Sequence, residues 1–237
     1  MTQHHGALQG ALPQNPPAPP RREWRVVPMV LPYLWEYRWR VVVVDNGSTD
    51  GTDLVAQRLP VRLVRERRRG YGSACLAGIA ALEASPPEVV VFLDGDYSDH
   101  PEELALLLDA IEKGADLAIG SRALGKREPG ALLPQARFGN LLACFLIRLL
   151  YGHRYTDLGP FRAIRWDALR RIGMRDTNFG WTCEMQVKAL RHGLKVAEVP
   201  VSYRRRVGVS KITGTLSGTL RAGWKILWTL VRYSFRS

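Results

Sequence analysis

The chain has 237 residues, enough for one α/β domain with small appendages, and 46% hydrophobic and 24% charged residues are an ordinary globular balance. No signal peptide is recognisable and no stretch reaches the ~18 uninterrupted apolar residues of a spanning helix, so we expect a protein that is soluble or lies on a membrane surface. The formal net charge of +12 indicates a polyanionic partner: nucleic acid, anionic lipid or a pyrophosphate-bearing substrate.

The cysteines and the N-terminal segment indicate the redox environment of the protein and the extent of its folded domain. Cys75, Cys144 and Cys183 are widely separated and lack metal-ligand spacing, so we expect buried, reduced thiols and a cytoplasmic protein. Residues 1–22 are rich in proline and predict a disordered tail, because such a composition cannot build a packed core. We expect the folded domain over residues 23–212.

The first part of this domain alternates apolar runs with helical patterns. Val41–Val44 is a β-branched run of the kind found in strands that are buried on both faces, and it ends at Asp45. A turn rich in helix-capping residues follows over 46–52. The alternation continues with strands predicted over 61–64, 89–93 and 117–119, and helices predicted over 54–58, 70–81 and 101–113. It predicts an α/β fold with a mostly parallel sheet flanked by helices.

The second half is less regular. Helices are predicted over 138–151 and 182–192, and a strand is predicted over 194–203. Because Pro200 interrupts that strand, we expect it at a sheet edge. A basic loop follows over 204–211.

Residues 213–237 predict a C-terminal cationic amphipathic helix. Trp224 and Trp228 lie four residues apart in it, among leucines and arginines. This pattern suits a helix that lies in the lipid interface, and it also suits a helix docked on the domain or packed in a dimer.

Ligands of open α/β sheets bind outside the carboxyl ends of the strands, which directs attention to the residues that follow each strand. The segment from Asp45 to Thr52 can hydrogen-bond a base or ribose, but an N-capped helix after a turn has the same sequence. Gly70 and Gly72 follow three arginines and could bring backbone and cations near a phosphate. They lack the dinucleotide and P-loop fingerprints, so a solvated basic loop is the alternative.

Asp94-Gly95-Asp96 is a candidate metal site at the end of an apolar strand. Two carboxylates two residues apart in extended backbone point to the same side, and Mg²⁺ or Mn²⁺ prefers such oxygen ligands together with substrate phosphates. Ser98 could supply a third oxygen. The alternative is a simple turn, because Asp-Gly is a common turn dipeptide.

Several segments occur in a characteristic order along the chain. They are Val-Val-Val-Asp-Asn-Gly-Ser-Thr-Asp-Gly-Thr (42–52), Arg-Gly-Tyr-Gly-Ser-Ala (69–74), Phe-Leu-Asp-Gly-Asp-Tyr-Ser-Asp-His-Pro-Glu (92–102), Gly-Ser-Arg (120–122), Asp-Leu-Gly-Pro-Phe-Arg-Ala (157–163), Phe-Gly-Trp-Thr-Cys-Glu (179–184) and Gly-Val-Ser-Lys-Ile (208–212). In this order the chain resembles family 2 glycosyltransferases of the GT-A fold, close to the dolichyl-phosphate mannosyltransferase-like branch.

Carried over residue by residue, the resemblance implies a donor site. Asp45 would contact the base of a nucleotide sugar, with Ser48 close to it, and Gly70 would lie along the same ligand. Asp94 and Asp96 would hold the Mg²⁺ or Mn²⁺ that bridges the diphosphate, which neutralises charge on the leaving group.

The resemblance also implies an acceptor site. Arg122 would face the phosphates or a phosphorylated acceptor, and Arg206, Ser210 and Lys211 would belong to a loop that closes over donor and acceptor. Glu184 aligns with the acidic position that serves as base in many inverting members, and a helix-surface carboxylate is the alternative. A polyprenyl-phosphate acceptor is already an anion and needs cations rather than a base.

The start of the chain departs from the family pattern. The family has an apolar strand and an acidic loop before the segment at Asp45, whereas here residues 26–28 alone could stand for that strand. We expect a metal-dependent inverting transfer from a nucleotide sugar to a lipid-linked or other hydroxyl acceptor, at the cytoplasmic membrane face. The alternative is a membrane-associated binding protein that lost the first nucleotide-binding loop. Nucleic-acid binding is not expected, because aromatic and basic residues are not interleaved.

Overall fold

A computed structural model describes residues 41–207 together with 223–225, 228–230 and 232–233. The predicted tail over 1–22 lies outside the described residues. So do Ser210 and Lys211 of the predicted basic loop.

Strands and helices alternate through the described chain, as the apolar runs predict. In chain order they are β1 Val42–Asp45, α1 Thr52–Ala56, β2 Arg62–Arg65, α2 Tyr71–Leu82, β3 Val89–Phe92, α3 Leu104–Glu112, β4 Leu117–Ser121, α4 Pro134–Tyr151, β5 Arg162–Arg165, α5 Trp166–Ile172, α6 Trp181–Arg191 and β6 Val196–Pro200. α4 begins four residues before the predicted helix because Pro134 suits the first helical position.

The strands form two sheets. β1 and β2 pair in parallel as a two-stranded sheet, and the other four strands are ordered β3-β5-β4-β6. β4 and β6 are parallel, whereas β5 runs antiparallel to both β3 and β4. The predicted α/β class with flanking helices is confirmed, but the larger sheet is mixed. β6 ends at Pro200 and is the last of the described strands in its sheet, in agreement with the predicted edge position.

β5 was not predicted, because its sequence Arg-Ala-Ile-Arg does not resemble a buried strand. Arg162 is fully buried, and its guanidinium donates to the carbonyl oxygens of Gly159 and Thr182, the latter at 3.1 Å. These bonds satisfy the buried polar group, so an arginine is tolerated in the interior.

Helices cover both faces of the larger sheet. Leu117 and Ile119 of β4 face a cluster that includes Ile147 of α4 and Trp181 of α6. Between them, Ala118 faces the opposite side, where it joins a cluster formed with α3. This alternation is the period-two geometry of a strand. The residues of β3 alternate between the same two clusters, so the end of β3 lies between two packed layers.

Near the C-terminus, the described residues 223–225, 228–230 and 232–233 are helical. Trp224 and Trp228 are exposed, while Leu230 is buried and its carbonyl accepts a hydrogen bond from the Tyr151 hydroxyl at 3.1 Å. A continuous amphipathic helix over 213–237 stays a prediction. No helix within the described residues is long and apolar enough to span a bilayer.

Candidate active site

Asp94 and Asp96 follow β3 directly, at the carboxyl end of that strand. The Tyr71 hydroxyl interacts with the Asp94 carboxyl and partly offsets the rise in its pKa. The Asp96 carboxylate accepts bonds from the backbone N–H of Ser98 at 3.0 Å and from its hydroxyl at 2.5 Å. Of the two predicted metal ligands, Asp96 is thus oriented by hydrogen bonds from its neighbour. Ser98, predicted as a third ligand, is fully buried and serves as a hydrogen-bond donor to Asp96.

A third carboxylate, Asp99, lies beside this pair. Its Oδ2 accepts the Asp94 backbone N–H at 3.4 Å, and its buried Oδ1 has no hydrogen-bond partner among the described residues. Burial, followed by the charge of Asp96, raises the pKa of Asp94 to about 6. Burial and Asp94 raise the pKa of Asp99 to about 8. The three carboxyl groups therefore crowd together after β3, and their burial and mutual repulsion disfavour charge on Asp94 and Asp99 unless a cation neutralises them. The Asp-x-Asp-x-x-Asp spacing is the sequence signal for this cluster.

A cation already lies against this region. Arg206 forms an ion pair with Asp96, with its Nε 2.8 Å from Oδ2, and the Val207 N–H donates to the Asp96 carbonyl oxygen at 2.8 Å. The Arg206 guanidinium therefore occupies a position beside Asp96 that would also favour a metal cation. Access to the two aspartates is open at Gly95, since no described atom lies within 4 Å of the position of an added Cβ there.

The donor set fits a hard divalent cation only in part. Among the residues that the structure describes, no cluster of three or more His, Cys, Asp or Glu side chains is arranged to hold a metal ion. Asp94 and Asp96 supply carboxylate oxygens of the type that Mg²⁺ and Mn²⁺ prefer, and a bound diphosphate would have to supply further oxygens. This is the common arrangement for such ions when one or two carboxylates act with substrate phosphates.

Arg204 attaches the start of the basic loop to the same segment. Its Nε donates to the Tyr97 carbonyl oxygen at 2.7 Å and its Nη2 to that of Asp99 at 2.9 Å, while its guanidinium lies 3.6 Å from the centre of the Tyr97 ring. Tyr97 has a φ of 68°, which is uncommon for a residue with a side chain. Arg204 therefore holds a strained backbone position next to the carboxylates. No local pattern in the sequence indicates this role of Arg204.

Arg122 also lies at a strand end, but its charge is already paired. Asp157 accepts bonds from its backbone N–H at 2.7 Å, from Nε at 2.8 Å and from Nη2 at 2.8 Å. The guanidinium lies 5.0 Å from the centre of the Tyr203 ring. The structure thus brings Arg122 to the edge of the site as the partner of Asp157, the first residue of the segment 157–163, for which the sequence indicates no role of its own.

Glu184 lies in the first turn of α6 and is fully buried. Its carboxylate accepts the backbone N–H groups of Arg175 at 3.1 Å and Asp176 at 2.6 Å, and it pairs with Lys188 at 2.8 Å. The Tyr233 hydroxyl donates to it at 2.5 Å. These contacts connect α6, the loop before it and the C-terminal segment, and they engage both carboxylate oxygens.

The predicted nucleotide residues gather at the end of β1. Asp45 Oδ1 accepts the Ser48 N–H at 2.9 Å, which closes the turn after the strand. The Asn46 side chain accepts the Gly70 N–H at 2.8 Å and donates to the Arg68 carbonyl oxygen at 2.8 Å, so it joins this turn to the basic loop.

Gly70 has a packing reason of its own. With a φ of 141°, it lies so close to the carbonyl oxygen of Thr177 that a Cβ would collide with it. The start of α2 packs there, since the Ser73 N–H donates to the same oxygen at 3.0 Å. The glycine motif therefore brings α2 against the loop before α6, which sequence reasoning had not predicted.

A surface pocket of about 200 Å³ opens between the loop after β4 and the start of α4. It is lined by Arg127, Glu128, Pro129, Gly130, Leu132 and Arg137. Arg205 connects it to the basic segment, because its N–H donates to Glu128 Oε2 at 2.8 Å and its Nε to the Pro129 carbonyl oxygen at 2.7 Å. The pocket presents two arginines that no sequence motif had indicated.

Comparison with known proteins identifies the family. The sequence profile of Glycosyl transferase family 2 matches residues 29–173. A polyprenol monophosphomannose synthase from Mycolicibacterium smegmatis is 34% identical over 191 residues, which cover 74% of this chain and 71% of that protein. An undecaprenyl-phosphate mannosyltransferase from Micrococcus luteus is 35% identical over 193 residues, covering 75% of this chain and 77% of that protein.

Two further matches extend the comparison. An uncharacterized glycosyltransferase from Mycobacterium tuberculosis is 37% identical over 195 residues, covering 80% of this chain and 86% of that protein. Glucosyl-3-phosphoglycerate synthase from Mycobacterium tuberculosis, crystallised with Mn²⁺, uridine diphosphate and phosphoglyceric acid, has the same fold with a TM-score of 0.71 at 19% identity, over 92% of this chain and 76% of that one. The chain therefore belongs to glycosyltransferase family 2, in its dolichyl-phosphate mannosyltransferase-like branch, and is a glycosyltransferase with the nucleotide-sugar GT-A fold.

Proposed function

We propose that the protein transfers a sugar from a nucleotide sugar to a polyprenyl phosphate, using Mg²⁺ or Mn²⁺ held at Asp94 and Asp96. The observation that carries the proposal is the concentration of carboxylates after β3, in which Arg206 already pairs with Asp96. The names of two relatives, a polyprenol monophosphomannose synthase and an undecaprenyl-phosphate mannosyltransferase, support this acceptor class. A fold neighbour crystallised with Mn²⁺ and uridine diphosphate supports the metal.

On this proposal the acceptor phosphate displaces the nucleoside diphosphate in one step. A bond forms between a phosphate oxygen and the anomeric carbon, the bond from that carbon to the diphosphate breaks, and the configuration inverts. When bound, the divalent cation neutralises charge that develops on the leaving diphosphate. Ser98 keeps the Asp96 carboxylate oriented, Tyr71 favours the charged form of Asp94, and Asp45, Ser48 and Gly70 border the nucleotide.

Cations rather than a base would prepare such an acceptor. Arg206 lies over Asp96, and Arg127 and Arg137 line the adjoining pocket, so an anionic headgroup could be held near the donor. Arg122, Ser210 and Lys211 remain proposed as further contacts to the acceptor. A phosphate acceptor at neutral pH carries no proton that must be removed before attack, so no carboxylate has to act as general base.

This acceptor class also accounts for Glu184. Its oxygens accept backbone N–H groups and the Tyr233 hydroxyl and pair with Lys188, so a proton could reach them only after those contacts rearranged. We therefore propose Glu184 as a positioning residue. The general-base role suggested by the family resemblance would apply to a hydroxyl acceptor.

The test measures Mn²⁺-dependent binding of a panel of nucleotide sugars, followed by transfer to a short-chain, water-soluble polyprenyl phosphate. Asp96→Asn is the test variant, and Asp109→Asn is the matched control because Asp109 is an ion-paired carboxylate on the surface of α3. We expect Asp96→Asn to weaken Mn²⁺-dependent binding at least tenfold and the control to bind normally. Equal binding by all three proteins would refute the metal assignment. A folded wild type that binds no nucleotide sugar would favour a binding protein without catalysis.

A further inference from the structure

Helix α4 carries a stripe of large apolar side chains on its outer face. Phe138, Leu141, Phe145 and Leu149 are exposed by 68%, 66%, 60% and 70%. They lie at positions i, i+3, i+7 and i+11, so they share one side of the helix over more than three turns. Contiguous exposed apolar surface of this kind marks a site of interaction with another apolar surface.

The opposite face of α4 is fixed to the domain. Cys144 and Ile147 are buried in the core, and the Asn140 side chain donates to the Thr156 carbonyl oxygen at 3.1 Å and accepts the Leu158 N–H at 2.8 Å. These bonds secure the segment that carries Asp157, the partner of Arg122. The helix is therefore firmly packed on the domain, and through Arg137 it also borders the pocket of the proposed acceptor site.

The charges around the stripe indicate what it contacts. Arg137 and Arg148 are exposed and lie on one flank of it, three helical turns apart, and Arg154 follows the end of the helix. No aspartate or glutamate occurs from Pro129 to Thr156, in a chain whose net charge is +12. An apolar strip bordered by arginines complements a surface that is apolar inside and negatively charged at its boundary.

We propose that α4 is the membrane-binding surface of this protein and lies in the interface of an anionic lipid bilayer. Phe138, Leu141, Phe145 and Leu149 enter the boundary between headgroups and acyl chains, and Arg137 and Arg148 contact anionic headgroups. This inference deepens the proposed function and rests on it, because a polyprenyl-phosphate acceptor has to be collected from a bilayer.

Two other occupants fit the stripe less well. In a second copy of the chain packed through the same stripe, Arg137 and Arg148 of both copies would come together without an acidic residue on the helix to balance them. The C-terminal segment exposes Trp224 and Trp228 to solvent, so in the described residues these rings do not cover α4.

The experiment measures co-sedimentation of the full chain with vesicles of phosphatidylcholine alone and with 30% phosphatidylglycerol. The test variant is Phe145→Asp/Leu149→Asp. The matched control is Leu54→Asp/Leu106→Asp, which places the same charges at exposed leucines of α1 and α3. We expect the wild type and the control to bind the anionic vesicles, and the α4 variant to bind them at least tenfold more weakly. Arg148→Gln should weaken binding several-fold and reduce its dependence on salt.

Circular dichroism shows whether each variant is folded, and light scattering measures its oligomeric state. Unchanged vesicle binding by a folded α4 variant would overturn the proposal. So would a wild-type dimer that the α4 variant converts to a monomer without any effect on vesicle binding, or binding that is lost in Trp224→Ser/Trp228→Ser and kept in the α4 variant.

Transfer to the water-soluble acceptor separates this inference from the proposed function. It should be the same in the wild type and the α4 variant, whereas transfer to a long-chain acceptor in vesicles should fall in the variant. If no sugar is transferred to any polyprenyl phosphate while vesicle binding still depends on α4, the proposed function fails and the membrane surface stands.

Discussion

The ion pair between Arg122 and Asp157 offers a quantitative test of how the site is held together. The side chains are only 12% and 1% exposed, and Asp157 accepts three hydrogen bonds from Arg122, two of them from the guanidinium. Asp157→Ala would leave the guanidinium buried without its partner. Removing one member of a buried pair costs about 3–5 kcal/mol, and that loss is a large share of the ~5–15 kcal/mol by which a domain is stable.

The measurement is the free energy of unfolding from urea titrations followed by tryptophan fluorescence. Asp109→Ala is the control, because Asp109 pairs with Lys113 at exposed fractions of 55% and 74%. An exposed pair of this kind contributes below about 1 kcal/mol. The double variant Arg122→Met/Asp157→Leu removes both charges, so we expect it to lose less stability than Asp157→Ala alone.

Two results would refute this reasoning. The first is a loss below about 1 kcal/mol for Asp157→Ala, which would mean that water reaches the guanidinium and replaces the carboxylate. The second is a double variant that loses at least as much stability as Asp157→Ala, since this would mean that the unpaired guanidinium is not the source of the loss.

Three further changes test other contacts. Arg206→Gln removes the cation on Asp96, so Mn²⁺ binding in the absence of nucleotide, measured by electron paramagnetic resonance, should strengthen about fivefold; weaker binding would show that the Arg206 guanidinium does not compete with the metal for Asp96. Glu184→Gln should lower the free energy of unfolding by about 3 kcal/mol while kcat with a polyprenyl phosphate falls less than tenfold; a thousandfold fall in kcat at unchanged stability would identify a base. Gly70→Ala should lower the free energy of unfolding by at least about 2 kcal/mol, whereas Gly139→Ala, inside α4 with no described atom within 4 Å of an added Cβ, should raise it by up to about 1 kcal/mol; equal effects would contradict the packing argument.

The candidate site was partly predictable because some of its features are local in the chain. Asp94 and Asp96 follow an apolar run directly, and a carboxylate at the end of a buried strand has a foreseeable position. Asp45 was predictable for the same reason. The Asn46 side chain, by contrast, contacts backbone groups that lie 22 and 24 residues further along the chain. No local pattern indicates which loop an asparagine will contact.

The sequence by itself determined the elements whose signals lie within a few residues: the β-branched strands, the helix periods, the proline that ends β6 and the carboxylates after β3. The tertiary structure decided which charges meet. Arg206 reaches Asp96 across 110 residues and Arg122 reaches Asp157 across 35. Such pairings depend on how β5 inserts antiparallel into the sheet and on which face of α4 is buried. A sequence shows that a residue is charged, but burial and the position of its partner arise only when distant segments pack together.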